Sequence, residues 1–318
     1  MEDKILQKLP GAQKNVLLAK YTTYKIGGPA KYFFVAKTKE DLMNAIKIAK
    51  EAKLPVFILG GGSNLLISEK GFKGLVIKID ISNIEFNVDK SFVGAGVNIT
   101  KLSYLSAEKG LSGLEWASGM PGTVGGAIYG HAQAFGTKVS EVIESVEAVD
   151  SKSFKIVNLT KEQCKFSLKN SVFKKNRNLV IISAVLHFKP EDAEKIKSKI
   201  KEFLEYRKTK HPTNFPSAGS VFVNPEIKIK NKKLLEKFPE LKEFNEKGTI
   251  PAGFLIAKSG LAGNKIGNAQ ISEKHANFII NLGGADAKSV MGLIKLAQKK
   301  VKKNFGVLLE PEVQFIGF

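Results

Sequence analysis

Apolar residues recur at helical spacing in a few stretches of the chain and cluster in many short runs between them. Leu42, Ile46 and Ala49 fall on one face of a helix that Thr38 caps, with Asp41 in the first turn, where a carboxylate meets exposed N–H groups. Pro55 marks its end. VFIL at 56–59 then reads as a buried strand feeding a glycine-rich loop, and LVIKI at 75–79 as another strand. From about residue 84 short strands dominate (IEFNV, SFVGAG, VEAVD and LVIISAVLHF), with a helix from about Ile99 to Gly110 among them. A helix over 191–208 turns Ile196, Ile200, Phe203 and Leu204 inward and stops before His211 and Pro212. Beyond it the pattern predicts a turn and strand in PSAGSVFVNP at 216–225 and a strand in NFIIN at 277–281. A helix from Asp286 follows, with Val290, Leu293, Ile294, Ala297 and Val301 in register, and LLEPEVQFIGF reads as a terminal strand. The fold class expected is α+β, with blocks at 1–82, 83–190 and 209–318 and the helix 191–208 connecting the last two.

Two glycine-rich stretches, LGGGSNLL at 59–66 and SGMPGTVGGA at 118–127, interrupt this pattern, and each strips side chains from the main chain. Such loops serve either as tight turns or as anion cradles, because glycine admits close approach and successive N–H groups form a concavity. Neither has the GxGxxG or GxxxxGK[ST] spacing, so the usual dinucleotide and P-loop readings fail. Two long loops that also carry Ser63, Ser118 and Thr123 favour a ligand, and the ligand implied is a large anionic cofactor.

Composition narrows the class. At 318 residues, 43% hydrophobic and 25% charged, the chain suits a multi-domain globular protein, and no run approaches the roughly 18 apolar residues of a membrane helix. The segment MEDKILQKLPGAQK lacks an apolar core of secretory length, and one cysteine, Cys164, cannot form an internal disulfide; both suit the cytoplasm. His131, His187, His211 and His275 lack metal-ligand spacing, so no metal site is expected. A net charge of +20 would suit nucleic acid, but only Arg177 and Arg207 stand among the 50 basic residues and the lysines are dispersed. Attraction of a polyanionic small substrate uses the charge more simply, with no nucleic-acid or membrane partner.

The ordered strings YTTYKIGGPA, LGGGSNLL, SGMPGTVGGAIYG, CKFSLKNSVFK, PSAGSVFVNP, KHANFIIN and LEPEV resemble the UDP-N-acetylenolpyruvoylglucosamine reductase family, in the class without an extra tyrosine-bearing insertion. The resemblance runs from about residue 20 to 318. It implies an FAD-binding region of the p-cresol methylhydroxylase type in two α/β subdomains (1–82 and 83–190), then an α+β substrate-binding domain (209–318). It also implies a cytoplasmic, monomeric enzyme of peptidoglycan precursor synthesis in which NADPH reduces FAD and the hydride passes to the enolpyruvyl group of a UDP-sugar. Gly60, Gly61, Gly62, Ser63 and Asn64 would then cradle the pyrophosphate, and Ser118, Gly119, Pro121, Gly122, Thr123, Gly125 and Gly126 would admit the flat flavin. An oxidase or dehydrogenase of another substrate on the same fold, and a flavoprotein that binds the UDP-sugar without turning it over, are the alternatives.

Hydride addition builds negative charge on the substrate carboxylate, and a proton must reach the neighbouring carbon. By the resemblance Ser220 donates that proton; by itself it reads as a turn serine. Glu312, otherwise a strand-end charge, matches the family glutamate whose acid form hydrogen-bonds the carboxylate. Lys169 stands where the family pattern Cys-x-Phe-x-Tyr-Arg-x-Ser-x-Phe-Lys has arginine, and Leu168 where it has tyrosine. Lysine keeps the charge and loses the bidentate fork, a difference of about 1–3 kcal/mol by the worth of charged hydrogen bonds. Lys210 matches a position near the nicotinamide or the substrate charge and Asn224 one near the sugar nucleotide, both as substrate-binding residues; their bland readings are a solvated lysine and an Asn-Pro turn. His131 and Gln133 replace a common Asn and Gly, and Val223 and Ala262 each replace a Lys. His211, His275 and Cys164 read as core or surface residues without a chemical role.

Overall fold

The computed structural model describes residues 4–318, so the first three residues of the N-terminal segment and of the first block lie outside the described residues. The chain forms two compact units. One comprises residues up to Val16, Pro29–Gly62 and Phe72–Arg207; the other comprises Leu17–Gly28, Ser63–Gly71 and Lys208–Phe318. Helices and strands are mixed throughout, as the α+β expectation requires.

The first unit holds two larger sheets, beside two short two-stranded pairs. In the first sheet the strands run in the order Gln13–Leu17, Pro29–Ala36, Phe72–Ile79, Val56–Leu59, and both Pro29–Ala36 and Val56–Leu59 pair parallel to Phe72–Ile79. The helix Lys39–Glu51 carries the chain from Pro29–Ala36 across to Val56–Leu59 on the other side of Phe72–Ile79, the crossover that same-direction strands need. Thr38 accepts from the Asp41 N–H at 3.0 Å while the Asp41 carboxylate accepts from the Thr38 N–H at 3.1 Å, so the predicted cap is a reciprocal capping box. Leu42, Ala45, Ile46 and Ala49 are buried beneath it. VFIL is a strand but lies at the sheet edge, where only Leu59 is buried and Val56 is 37% exposed, because one side of an edge strand has no neighbour to cover it. The second sheet is wholly antiparallel, in the order Ile156–Thr160, Ile143–Asp150, Leu179–His187, Lys90–Gly94, Ile84–Asn87. Ile196 and Ile200 of the helix Ala193–Lys210 bury against Ala107, with Leu204 beside them.

The second unit packs a three-stranded antiparallel sheet (Lys265–Ile266, Ala269–Ile271, Ile279–Asn281) against the helix Ala287–Phe305. Asp286 caps this helix through the Ser289 N–H at 2.6 Å, and the residues predicted in register (Val290, Leu293, Ile294, Ala297, Val301) are all buried. Two early segments share this core, which includes Tyr24, Ile26 and Leu66. Leu65–Ile67 pairs parallel with the C-terminal strand Gln314–Ile316. That strand is shorter than the sequence suggests: 308–313 is irregular, and PSAGSVFVNP forms only isolated bridges, Ser220 to Phe278 and Phe222 to Pro311. Prolines at 216, 225 and 311 remove the N–H donors that a continuous ladder needs.

Gly28 shows how closely the early segments fit. Its N–H donates to Ser68 O at 2.9 Å, and a Cβ built on it would fall within the Glu69 carbonyl and 2.6 Å from the Gly71 nitrogen. No flexible side chain can yield there. Gly28→Ala should therefore destabilise the second unit by about 3 kcal/mol, read as a lower thermal midpoint; an unchanged midpoint would contradict the packing described.

Candidate active site

The two glycine loops meet within the first unit. A Cβ on Gly61 would stand 2.5 Å from the Gly122 Cα, and one on Gly60 would stand 2.9 Å from the Thr123 hydroxyl. Bare main chain touching bare main chain is the reason both loops need glycine here. Several side chains fix the second loop. Thr100 Oγ1 lies 3.0 Å from the Ala117 carbonyl and 2.8 Å from that of Met120. Buried Glu115 accepts from the Ser112 hydroxyl at 2.6 Å and the Gly113 N–H at 2.9 Å. The indole of Trp116 donates to the Gly113 carbonyl at 3.1 Å. Arg207 donates through Nη2 to the Trp116 carbonyl at 2.9 Å and lies over the Phe135 ring, and burial holds its guanidinium below the usual arginine range. Glycine strings reveal loops but not their fasteners: nothing local marks Thr100, Glu115, Trp116 and Arg207 as anchors of this loop.

An FAD group fits this loop pair on two counts. The Gly61–Gly122 contact leaves backbone rather than side chains to face a ligand, and the Ser118 hydroxyl is fully buried without a hydrogen-bond partner, which a buried polar atom rarely tolerates. Gly60, Gly61 and Gly62 belong to the first unit with Ser118, Gly119, Pro121, Gly122, Thr123, Gly125 and Gly126, whereas Ser63 and Asn64 begin a segment of the second unit.

Within the second unit Ser220 and Glu312 come together. The Glu312 N–H donates to the Val221 carbonyl at 2.7 Å, and the Val223 N–H donates to Glu310 O at 3.0 Å. Their chain positions lie 92 residues apart, so only folding pairs them. On the other flank the Val221 N–H donates to Asn277 O at 2.8 Å, and the buried Asn277 carboxamide both accepts from the Phe222 N–H at 3.0 Å and donates to its carbonyl at 2.9 Å. A polar residue opening the apolar run NFIIN was the available signal for Asn277. Asn64 joins the cluster, its Nδ2 donating to Glu312 O at 3.2 Å and its carbonyl accepting from the Gln314 N–H at 3.0 Å. His211, His275 and Phe278 pack their rings 4.9–5.5 Å apart, and burial lowers the His275 pKa. Lys210 is exposed at the end of its helix. Asn224 lies at the surface, its Oδ1 accepting from the Ala252 N–H at 2.9 Å at the start of the helix Ala252–Lys258.

Lys169 belongs to the first unit. It occupies a tight turn closed by reciprocal backbone bonds of 3.0 Å between Ser167 and Asn170, and its φ is +52°. A side chain in that region costs about 1–2 kcal/mol. The Lys174 ammonium donates to the Lys169 carbonyl at 2.9 Å, and the buried His131 ring lies against the same turn. Cys164 is fully buried and its thiol is pushed up to about 11 by burial, which suits packing rather than nucleophilic chemistry. Among the described residues no group of three or more His, Cys, Asp or Glu could hold a metal ion, and no helix is long and apolar enough to cross a membrane.

Known proteins share this organisation. Residues 30–159 match the model of an FAD binding domain, and residues 211–316 match that of the UDP-N-acetylenolpyruvoylglucosamine reductase C-terminal domain. The UDP-N-acetylenolpyruvoylglucosamine reductase of Clostridium tetani is 38% identical over 95% of this chain and 91% of its own length. That of Caldicellulosiruptor bescii is 39% identical over 100% of this chain and 95% of its own. The crystal structure of UDP-N-acetylenolpyruvylglucosamine reductase from Thermus caldophilus superposes with a TM-score of 0.75 at 30% identity, covering 95% of this chain and 98% of that one. With both regions matched and identity sustained over the full length, the chain belongs to the UDP-N-acetylenolpyruvoylglucosamine reductase family of FAD-dependent oxidoreductases.

Proposed function

We propose that Ser220, Glu312 and Lys169 divide the work of the family reaction, the reduction of UDP-N-acetylglucosamine enolpyruvate to UDP-N-acetylmuramate for peptidoglycan. Bound FAD supplies the redox chemistry, carrying hydride from NADPH to the substrate double bond. The observation that supports the assignment is the 2.7 Å hydrogen bond from the Glu312 N–H to the carbonyl of Val221, the residue after Ser220, which brings the two chain segments together. Hydride joins the terminal carbon of the enolpyruvyl group, and charge accumulates on the adjacent carbon and its carboxylate. The Ser220 hydroxyl gives its proton to that adjacent carbon, completing a net addition of one hydride and one proton. Glu312, as its acid, donates to the carboxylate. The Lys169 ammonium attracts the same carboxylate as a point charge, with less directional hold than a guanidinium fork.

In this reading Gly60, Gly61, Gly62, Ser63 and Asn64 take the FAD pyrophosphate. Ser118, Gly119, Pro121, Gly122, Thr123, Gly125 and Gly126 admit the flavin, Lys210 meets the nicotinamide or the substrate charge, and Asn224 contacts the sugar nucleotide. The two larger sheets of the first unit serve as FAD subdomains at 1–82 and 83–190, and 209–318 binds substrate. The enzyme works in the cytoplasm as a monomer on small molecules, without nucleic acid or membrane, and the excess of lysine favours the approach of its polyanionic substrates.

Ser220→Ala should lower sugar reduction by about 10²–10⁴-fold while NADPH still reduces the flavin at the parent rate in stopped-flow absorbance; near-normal turnover would refute the assignment. Gly61→Ala should weaken FAD binding by at least about tenfold in a fluorescence titration, since its methyl must push the Gly122 loop aside. Retention of a full complement of FAD by that variant would show that the loop contact is not needed.

A further inference from the structure

Two of the places where this chain departs from its family pattern, His131 and Lys169, meet in one turn. The Ser167 carbonyl accepts from the Asn170 N–H at 3.0 Å and lies 2.6 Å from His131 Nδ1. A carbonyl only accepts, so Nδ1 carries the ring proton, and Nε2 accepts from the Ser140 hydroxyl at 2.8 Å. The ring is 5% exposed and stacks on Phe166 with centroids 4.8 Å apart. It thus has a single tautomer and a single orientation. The turn that it touches holds Lys169 at φ +52°, a conformation that persists only where the surroundings impose it. Two donors converging on one carbonyl provide that imposition.

We infer that His131 is a positioning residue, whose Nδ1–H clamps the Ser167 carbonyl and so fixes the left-handed turn that presents Lys169. Burial of the ring, with the charges of Lys138 and Lys169 near it, holds its pKa below the ordinary histidine value, so the neutral ring that this tautomer requires prevails at neutral pH. A lysine has many rotamers and no fork, so a chain that uses lysine for the carboxylate gains from a backbone held rigid beneath it. The inference rests on the assignment of Lys169 to the substrate carboxylate.

The δ nitrogen of asparagine matches His131 Nδ1, and the ε nitrogen of glutamine matches Nε2, so two substitutions separate the two contacts. H131N keeps the donor to Ser167 and should retain most of the sugar reduction. H131Q and H131A should raise KM for the enolpyruvyl UDP-sugar, or lower its kcat/KM, by about tenfold, with NADPH reduction of the flavin and FAD content unchanged. Amide exchange at Ser167 and Asn170 should quicken in the same two variants while amides of the sheet strands Ile143–Asp150 and Leu179–His187 keep their parent rates, which separates a local loosening from poor folding. In a double-mutant cycle the loss from H131Q should vanish on a K169A background. Equal activity of H131N and H131Q, or losses that multiply independently of Lys169, would overturn the role given to His131. Near-normal sugar reduction by K169A alone would instead sink the assignment of Lys169 itself.

Discussion

Both hydrogen-bonding groups of Val221 are engaged, and the path of the chain around Ser220 depends on where they go. Its N–H is held by the Asn277 carbonyl and its C=O by the Glu312 N–H. Ser220 precedes it, so the hydroxyl is placed by a strand-like segment tied on both flanks rather than by a free turn. Asn277 secures the next residue through both ends of its carboxamide, leaving neither its own buried polar atoms nor the Phe222 peptide unsatisfied. A buried amide of this kind costs stability when half-paired and gives rigidity when fully paired. The irregular path of 216–225 is therefore ordered, although it is not a regular strand.

The first unit solves a different problem, the close approach of two chains without side chains between them. Gly61 and Gly122 leave no room for a methyl group, and glycine carries an entropic cost wherever it is used. Fasteners offset that cost: Thr100, Glu115, Trp116 and Arg207 each bind a backbone atom of the second loop or its approach. Loops assembled in this way are rigid while presenting mainly backbone, which suits a dinucleotide cofactor.

Arginine is scarce in this chain, with only Arg177 and Arg207 among the 50 basic residues. Lysine keeps the charge of a guanidinium without its planar fork, so a site that relied on lysine would take direction from the backbone beneath it. The left-handed turn at Lys169 is closed by Ser167 and Asn170 and backed by His131, so its backbone is held from two sides. Arg207, one of the two arginines present, is spent on a carbonyl and an aromatic face inside the first unit.

The sequence by itself determined the long helices, because spacing and caps are local: Thr38 with Asp41 and Asp286 with Ser289 behave as their short-range chemistry requires. It also determined that glycine loops at 59–66 and 118–127 exist, and ordered motifs pointed to the family. Strand extent was less legible. PSAGSVFVNP and LLEPEV look extended, yet their prolines limit the pairing, and VFIL looks buried but forms a sheet edge whose missing neighbour no local pattern reveals. Tertiary structure alone decided that 17–28 and 63–71 leave the first unit for the second, that Gly61 touches Gly122, and that His131 reaches Ser167. Each of these joins residues distant in the chain through a carbonyl, an N–H or an absent Cβ, and backbone atoms are common to every residue, so no sequence pattern records which of them will meet.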